Sequence, residues 1–300
     1  MINIIKHRST YLSIAGTFVA ISIAAIAIFG LKPGIDFTGG TLWQIKFENE
    51  SINENSVKDF FVGTLGIEDV IVYRELTSQT IIIKLPEVNE QKHQEYLGTI
   101  SQKLGKAEET RFETIGPTVG DQLRSRAIWA VVLVLLGISI YIAFAFRKAS
   151  YPVQSWKYGI VTLLALTHDV LIPSGILAVL GYLKGIEIDT NFVVALLVIV
   201  GFSVHDTIVV FDRIRENILL RKGNKTFDEI VNDSINQTFA RSINTSLTLV
   251  LVLLAMVIFG APTLKLFTII LLVGVFFGTY SSIFIASPLL TLWYKFGKNK

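Results

Sequence analysis

Two long apolar segments of this chain, residues 158–183 and 190–211, are each interrupted by a histidine–aspartate pair: His168 and Asp169 in one, His205 and Asp206 in the other. An ionisable side chain is expensive in so apolar a setting, so each is a candidate either for proton exchange or for paired structural burial. Ser203, Asp206 and Thr207 fall at i, i+3 and i+4, a polar stripe on one helical face. The next apolar segment begins at Arg241 and puts Asn244, Thr245 and Thr248 at i+3, i+4 and i+7. As antiparallel neighbours, the two segments present their stripes towards the same end of the pair. Asp206 lies six residues before Asp212, about 9 Å at the helical rise. Arg241 must point inward, or its helix must be staggered, for the two to meet. Two chemistries fit the pair. One is uptake and release of a proton by Asp206, tuned by the guanidinium; the other is a structural ion pair that sets helix register. His168 and Asp169 read as support. Pro173, four residues on, lacks an N–H and leaves the Asp169 carbonyl without its helical partner, which implies a wet polar pocket or a simple kink.

Other motifs fail on inspection. Gly223-Asn224-Lys225-Thr226 has the tail of a phosphate loop but lacks the Gly before Lys and the upstream Gly, so ATP hydrolysis is unsupported. Gly201-Phe202-Ser203-Val204-His205 is not GxSxG, and a serine two residues from a histidine on a helix does not point at it. Two aspartates at such depth are also what an aspartyl intramembrane protease carries, but its GxGD signature is missing. Cysteine is absent, which removes disulfides, thiolate metal sites and a cysteine nucleophile. No catalytic residue, metal or cofactor is expected.

The elements that hold these residues are membrane spans. Of the 300 residues 51% are hydrophobic and 17% charged, against about a quarter charged in soluble domains. Residues 9–31, 127–146, 242–264 and 266–294 carry no Asp, Glu, Lys or Arg, and each is long enough for the ~20 apolar residues of a span. With the two His-Asp segments they make six. Gly274 and Gly278 form GxxxG in the last, a sign of close helix packing. The first run, 23 residues long, exceeds the ~7–15 residues of a signal-peptide core, so it reads as an uncleaved anchor. Lys and Arg crowd the short loops on one side: Lys6 and Arg8; Arg147, Lys148 and Lys157; six between 213 and 241; and Lys295, Lys298 and Lys300. The opposite short loops offer Lys184 and Lys265, so both termini are expected in the cytoplasm and residues 32–126 outside. The divisions are residues 1–31 (cytoplasmic N-terminus and first span), 32–126 (outer domain), 127–294 (spans two to six, with a cytoplasmic loop at 212–241) and 295–300 (cytoplasmic tail). The net charge of +3 belongs to the membrane part, because residues 32–126 hold 11 Lys and Arg against 15 Asp and Glu. Nucleic acid is therefore a poor partner.

In the outer domain, residues 41–47 alternate, with Trp43, Ile45 and Phe47 on one face, as a half-buried strand does. Val57, Phe60, Phe61, Thr64 and Leu65 have helical spacing and stop at Gly66. Val70 to Tyr73 and Thr80 to Leu85 read as strands around a Ser78-Gln79 turn; Tyr96, Leu97, Ile100 and Leu104 mark a helix ending at Gly105, and Thr110 to Ile115 a last strand. The order βαββαβ is the ferredoxin-like split motif. His93, in the polar run Glu90-Gln91-Lys92-His93-Gln94, reads as a solvated helix residue. The fold class is thus an α-helical polytopic membrane protein with an inserted α+β ferredoxin-like extracytoplasmic domain.

Five stretches carry a resemblance. GIDFTGGT (Gly34 to Thr41), IGPTVGDQLR (Ile115 to Arg124), THDV (Thr167 to Val170), GFSVHDTIVVFDRIREN (Gly201 to Asn217) and QTFARSINTSLT (Gln237 to Thr248) run in order along nearly the whole chain. Together they resemble the SecF family, in the SecD/SecF group of the RND-type superfamily. The resemblance implies a six-span half-transporter, with SecD supplying the other half, in the bacterial inner membrane. In that family the complex associates with the SecYEG channel and uses the proton motive force to draw unfolded preproteins outward. By motif, the proton-pathway aspartate and arginine fall on Asp206 and Arg241, with Ser203, Thr207, Asn244, Thr248, His168 and Asp169 as supporting polar residues. Gly34, Asp36, Gly39 and Gly40 would form the joint between the first span and the outer domain, where Gly39 and Gly40 allow close backbone approach. A chain of 300 residues would hold the SecF half alone, so a complete proton path should need groups from SecD. Two rival readings remain: a stand-alone RND-type exporter of small molecules or lipids, which a capacious apolar pocket in the outer domain would favour, and an extracytoplasmic receptor, for which Asp206 would be dispensable.

Overall fold

The structure, a computed structural model, describes residues 3–49, 51–74, 80–149, 153–220 and 225–298. The expected Ser78-Gln79 turn, Gly223 and Asn224 of the loop-like run, and Lys300 lie outside the described residues. In chain order the elements are α1 (Arg8–Phe29), a one-turn α2 (Ile35–Thr38), β1 (Gly40–Phe47), α3 (Glu54–Gly63), β2 (Ile71–Arg74), β3 (Ile81–Leu85), α4 (Glu90–Lys103), β4 (Ala107–Ile115), α5 (Pro117–Ala145), α6 (Ser155–Lys184), α7 (Thr190–Leu220), α8 (Phe227–Phe259) and α9 (Lys265–Ser281). A π turn, Ser282–Ala286, then joins α9 to α10 (Ser287–Lys298). The chain divides into two compact units, Met1–Lys32 with Ile128–Lys300, and Pro33–Ala127.

The helical unit contains what length and composition require of a membrane protein: among the described residues, six helices are long and apolar enough to cross a bilayer. α5 begins at Pro117, ten residues ahead of the uncharged run, because proline at the first helical position forfeits no hydrogen bond. α6 runs unbroken through Pro173. Small residues bring helices together where a larger side chain would hold them apart. A Cβ at Gly175 of α6 would lie 2.6 Å from the Ser22 Cα of α1, one at Gly159 of α6 would lie 2.6 Å from the Ser139 carbonyl of α5, and one at Gly278 of α9 would lie 3.1 Å from the Ser203 Cβ of α7. The GxxxG of the sixth span is therefore a packing surface for α7. Capping sets the start of α8: Thr226 accepts from the Glu229 N–H while the Glu229 carboxylate accepts from the Thr226 N–H, a capping box.

The second unit, the outer unit by its expected side of the membrane, holds a four-stranded antiparallel sheet in the order β2-β3-β1-β4. β3 lies between β1 and β2, which α3 connects, so the β-α-β unit is split as the element order anticipates. Trp43 and Ile45 of β1, Ile81 and Ile83 of β3, Val57 and Phe61 of α3 and Ile100 of α4 form one core. Asn53 and Asn89 cap the two helices by accepting from the N–H groups of Ser56 and Lys92. Gly66 and Gly105, both at positive φ, follow the helix ends.

His93 corrects the expectation of a solvated residue. It is only 4% exposed, and its Nε2 lies 2.5 Å from Glu109 Oε2. The ring stacks on Phe112 at 3.6 Å and meets Trp43 edge-on at 4.9 Å, and Trp43 Nε1 donates to the same Glu109 oxygen at 2.7 Å. The surrounding residues of α4 are polar because they face outward; an imidazole can occupy the inward position because β4 supplies a carboxylate to meet it.

Candidate polar site within the helical unit

Helix α6 carries His168 and Asp169 on its buried side, and Asp169 is wholly inaccessible. His168 Nδ1 is 2.8 Å from Asp169 Oδ1. The Ser203 hydroxyl of α7 donates to Oδ2 at 2.5 Å, and the Ser281 hydroxyl of α9 donates to the same oxygen at 2.8 Å. One carboxylate thus joins three helices. The Ser282 hydroxyl, next along, lies 2.9 Å from the Gly278 carbonyl of the preceding turn, 3.3 Å from the Ser203 carbonyl and 3.1 Å from the Thr207 hydroxyl. The π turn at Ser282–Ala286 ends two residues before Pro288, which has no N–H to return to the preceding turn, so the backbone widens there. A further hydroxyl pair, Ser246 with Thr279 at 2.6 Å, ties α8 to α9.

Asp206 is also buried, at 3% exposure, and faces Ser242 of α8. Its Oδ2 and the Ser242 hydroxyl each lack a hydrogen-bond partner. Among the described residues no ion pair involves Asp206, and His205 beside it is exposed.

Arg241 departs from the expectation of two facing stripes. Arg241, Asn244, Thr245 and Thr248 all lie on the exposed side of α8, and the hydroxyls of Thr245 and Thr248 return to carbonyls of their own helix. Thr238, Ser242 and Ser246 form the inward stripe instead. The reason is rotational: one residue step turns a helix by about 100°, so Arg241 and Ser242 look in different directions. Arg241 borders a polar recess of about 290 Å³ between α7 and α8, together with Val209, Asp212, Arg213, Glu216, Gln237 and Thr238. Val209 is one turn beyond Asp206 on α7.

In the outer unit, Gly34 precedes α2, Asp36 lies in its first turn, and Gly39 and Gly40 follow at φ of +74° and +109°. A Cβ at Gly39 would stand 2.7 Å from Pro117 Cα, and one at Gly120 would stand 2.8 Å from Gly39 N. GIDFTGGT and IGPTVGDQLR therefore pack directly on one another. The Thr41 hydroxyl adds a bond to Thr114 at 3.0 Å and accepts from the Val88 N–H at 2.9 Å.

Ser242, Ser246, Thr279, Ser281 and Ser282 were not singled out by sequence reasoning. The signal was present: serines at i and i+4 in the fifth span, and a tandem serine followed by proline within the uncharged run of the sixth.

A helical unit of six apolar spans, with a buried carboxylate and hydroxyl network and a split β-α-β domain inserted after the first span, defines a polytopic membrane protein with an α+β insertion. The chain belongs to the SecD/SecF family of protein export membrane proteins. The description "Protein export membrane protein SecD/SecF, C-terminal" matches residues 96–296, and "SecD/SecF GG Motif" matches residues 24–50. A protein translocase subunit SecF of Thermobaculum terrenum is 43% identical over 98% of this chain and 94% of its own length. One from Anaerolinea thermophila is 37% identical with the same two coverages. The crystal structure of SecDF, a translocon-associated membrane protein from Thermus thermophilus, superposes with a TM-score of 0.83 at 32% identity. That match covers 100% of this chain and 39% of the SecDF chain, so this chain corresponds to well under half of that protein. SecDF in a super-membrane-facing form matches with a TM-score of 0.70 at 33% identity, over 99% of this chain.

Proposed function

We propose that this chain is the SecF half of a SecDF complex of the bacterial inner membrane, which uses the proton motive force to help preproteins through the SecYEG channel without catalysing a reaction itself. The observation that carries the proposal is the incompleteness of the site. Asp206 is a buried carboxyl with an unpartnered oxygen, while Arg241, Asn244 and Thr248 face outward from a membrane span. Asn244 and Thr248 turned towards lipid are costly, so a second set of helices would cover that face, with Arg241 at its edge. SecD is the partner whose fused counterpart appears in the SecDF relatives. Asp206 takes up and releases the proton, and Arg241 tunes it once the halves are joined. One charge crossing the membrane supplies ~2.3 kcal/mol per 100 mV, enough to bias a two-state rearrangement. The translocase names of the relatives favour this reading over a stand-alone exporter.

Both termini are assigned to the cytoplasm and the outer unit to the far side from the loop charges. In this cysteine-free chain, Lys92→Cys and Leu219→Cys should label from opposite sides with an impermeant thiol reagent. The mechanism is tested with the complex in vesicles. Asp206→Asn should abolish proton-dependent export while SecD still co-purifies, and Arg241→Lys, which keeps charge but loses the planar fork, should impair export less than Arg241→Met. Normal proton-dependent export by Asp206→Asn would sink the proposal.

A further inference from the structure

The two carboxylates inside the helical unit differ in how they are held. Asp169 takes hydrogen bonds from His168, Ser203 and Ser281, on α6, α7 and α9, three of the roughly four that a carboxylate can accept. Asp206, three residues after Ser203 on α7, has an oxygen with none. A buried polar group held by several bonds fixes geometry, whereas one with an oxygen left unbonded is where change is cheap.

The bonds of Asp169 reach the turn that bears Asp206. Ser203 is held by Asp169 through its hydroxyl, and the Ser282 hydroxyl sits within hydrogen-bond distance of the Ser203 carbonyl and of the Thr207 hydroxyl. Residues on both sides of Asp206 are thereby tied to α6 and α9. Each residue step turns the helical face by about 100°, so a slip of one position would bring exposed His205 or bonded Thr207 to where Asp206 meets Ser242.

We infer that Asp169 is a positioning residue: it locks the rotation of α7 through Ser203 and Ser281, so that the Asp206 carboxyl points at α8, and it carries no proton itself. The groups facing Asp169 are His168 on its own helix, the Ser203 hydroxyl on α7 and the Ser281 hydroxyl on α9, with the Tyr280 ring 6.3 Å from that of His168. Asp206 faces Ser242 on α8, and exposed His205 is its neighbour on its own helix. The inference rests on the reading of Asp206 as the proton-exchanging group, so its test has two arms.

The first arm reads geometry alone, in the full chain assembled with SecD. An Asp206→Cys/Ser242→Cys pair should be bridged by a short thiol-reactive cross-linker. Adding Asp169→Asn or the milder Ser281→Ala should lower the yield about fivefold, the effect of losing one buried hydrogen bond; Ser281→Thr, which keeps the hydroxyl, should restore it. The second arm follows the protonated-carboxyl infrared band that disappears in Asp206→Asn. Its titration midpoint should move by about one pH unit in Asp169→Asn and in Ser281→Ala, and return in Ser281→Thr. Unchanged cross-linking together with an unmoved midpoint overturns the inference. So does a band lost in Asp169→Asn and kept in Asp206→Asn, which would make Asp169 the proton carrier. Reduced cross-linking with no band assignable to Asp206 would uphold the positioning and reject the proposed role of Asp206 instead.

Discussion

Gly274 of α9 lies so close to Ile199 of α7 that a methyl group at position 274 would overlap three carbons of the isoleucine side chain. Apolar side chains gain little by leaving lipid for a protein interior, so spans associate through close packing, and a glycine that admits a bulky neighbour is how this pair achieves it. The same helix pair carries Ser203 and Ser281, so the contact also supports the Asp169 network.

Gly274→Ala should therefore destabilise the purified protein by about 1–3 kcal/mol through overpacking, read as earlier thermal unfolding in detergent. Ile199→Ala in the same chain should recover much of the loss. Gly201, on α7, has open space where a Cβ would go, and Gly201→Ala should leave stability unchanged or raise it by up to about 1 kcal/mol. Equal effects at 274 and 201 would show that packing at Gly274 is not what matters.

Gly39→Ala meets two obstacles, a positive φ and the Pro117 backbone, whereas Gly66→Ala meets a positive φ of +69° in open space. Backbone cannot swing aside as a side chain can, so the first should exceed the ~1 kcal/mol expected of the second by a wide margin. Proteolysis of the outer domain in intact vesicles measures both. Comparable resistance in the two variants would contradict the packing of the two motifs.

Glu109 holds two buried donors or near-donors, Trp43 Nε1 and His93 Nε2, on one oxygen. Glu109→Ala strands both and should cost about 1–3 kcal/mol. The lower part of that range is expected, since 29% of the Glu109 side chain is exposed and water can reach the site. Hydrogen exchange along α4 and β4 should accelerate. Protection equal to that of the unaltered chain would mean the cluster is incidental.

Asn244 and Thr248 point out of this chain from α8. Replacing both by leucine removes only the exposed bond of the Thr248 hydroxyl to the Thr245 carbonyl of its own helix, so thermal stability should stay within about 0.5 kcal/mol, while SecD recovered with the chain should fall. Undiminished recovery would remove the outward face of α8 from the partner interface.

Much of this protein is set by residue order alone. Four spans follow from uncharged runs and two more from apolar segments broken only by a His-Asp pair, because an apolar helix of sufficient length has no cheaper place than a bilayer. The βαββαβ order follows from two periodicities, since Trp43 and Ile45 must share a face at period two, and Val57, Phe60 and Phe61 at the helical period. That Asp206 and Asp169 stand apart from their apolar runs is also legible, because an ionisable group in such a run needs a reason to be there, and both are buried. What each touches was not. The polar stripes and the family motif pair Arg241 with Asp206, yet α8 is rotated so that Ser242 turns inward and Arg241 outward. That rotation depends on how Ser246 meets Thr279 and how α8 packs on α7 and α9, contacts between residues far apart in sequence. His93 was hidden for the same reason: its partner Glu109 comes from another strand. Periodicity reports which face of an element is apolar, but a buried polar residue is placed by the one neighbour that can satisfy it, and only the tertiary structure brings that neighbour in.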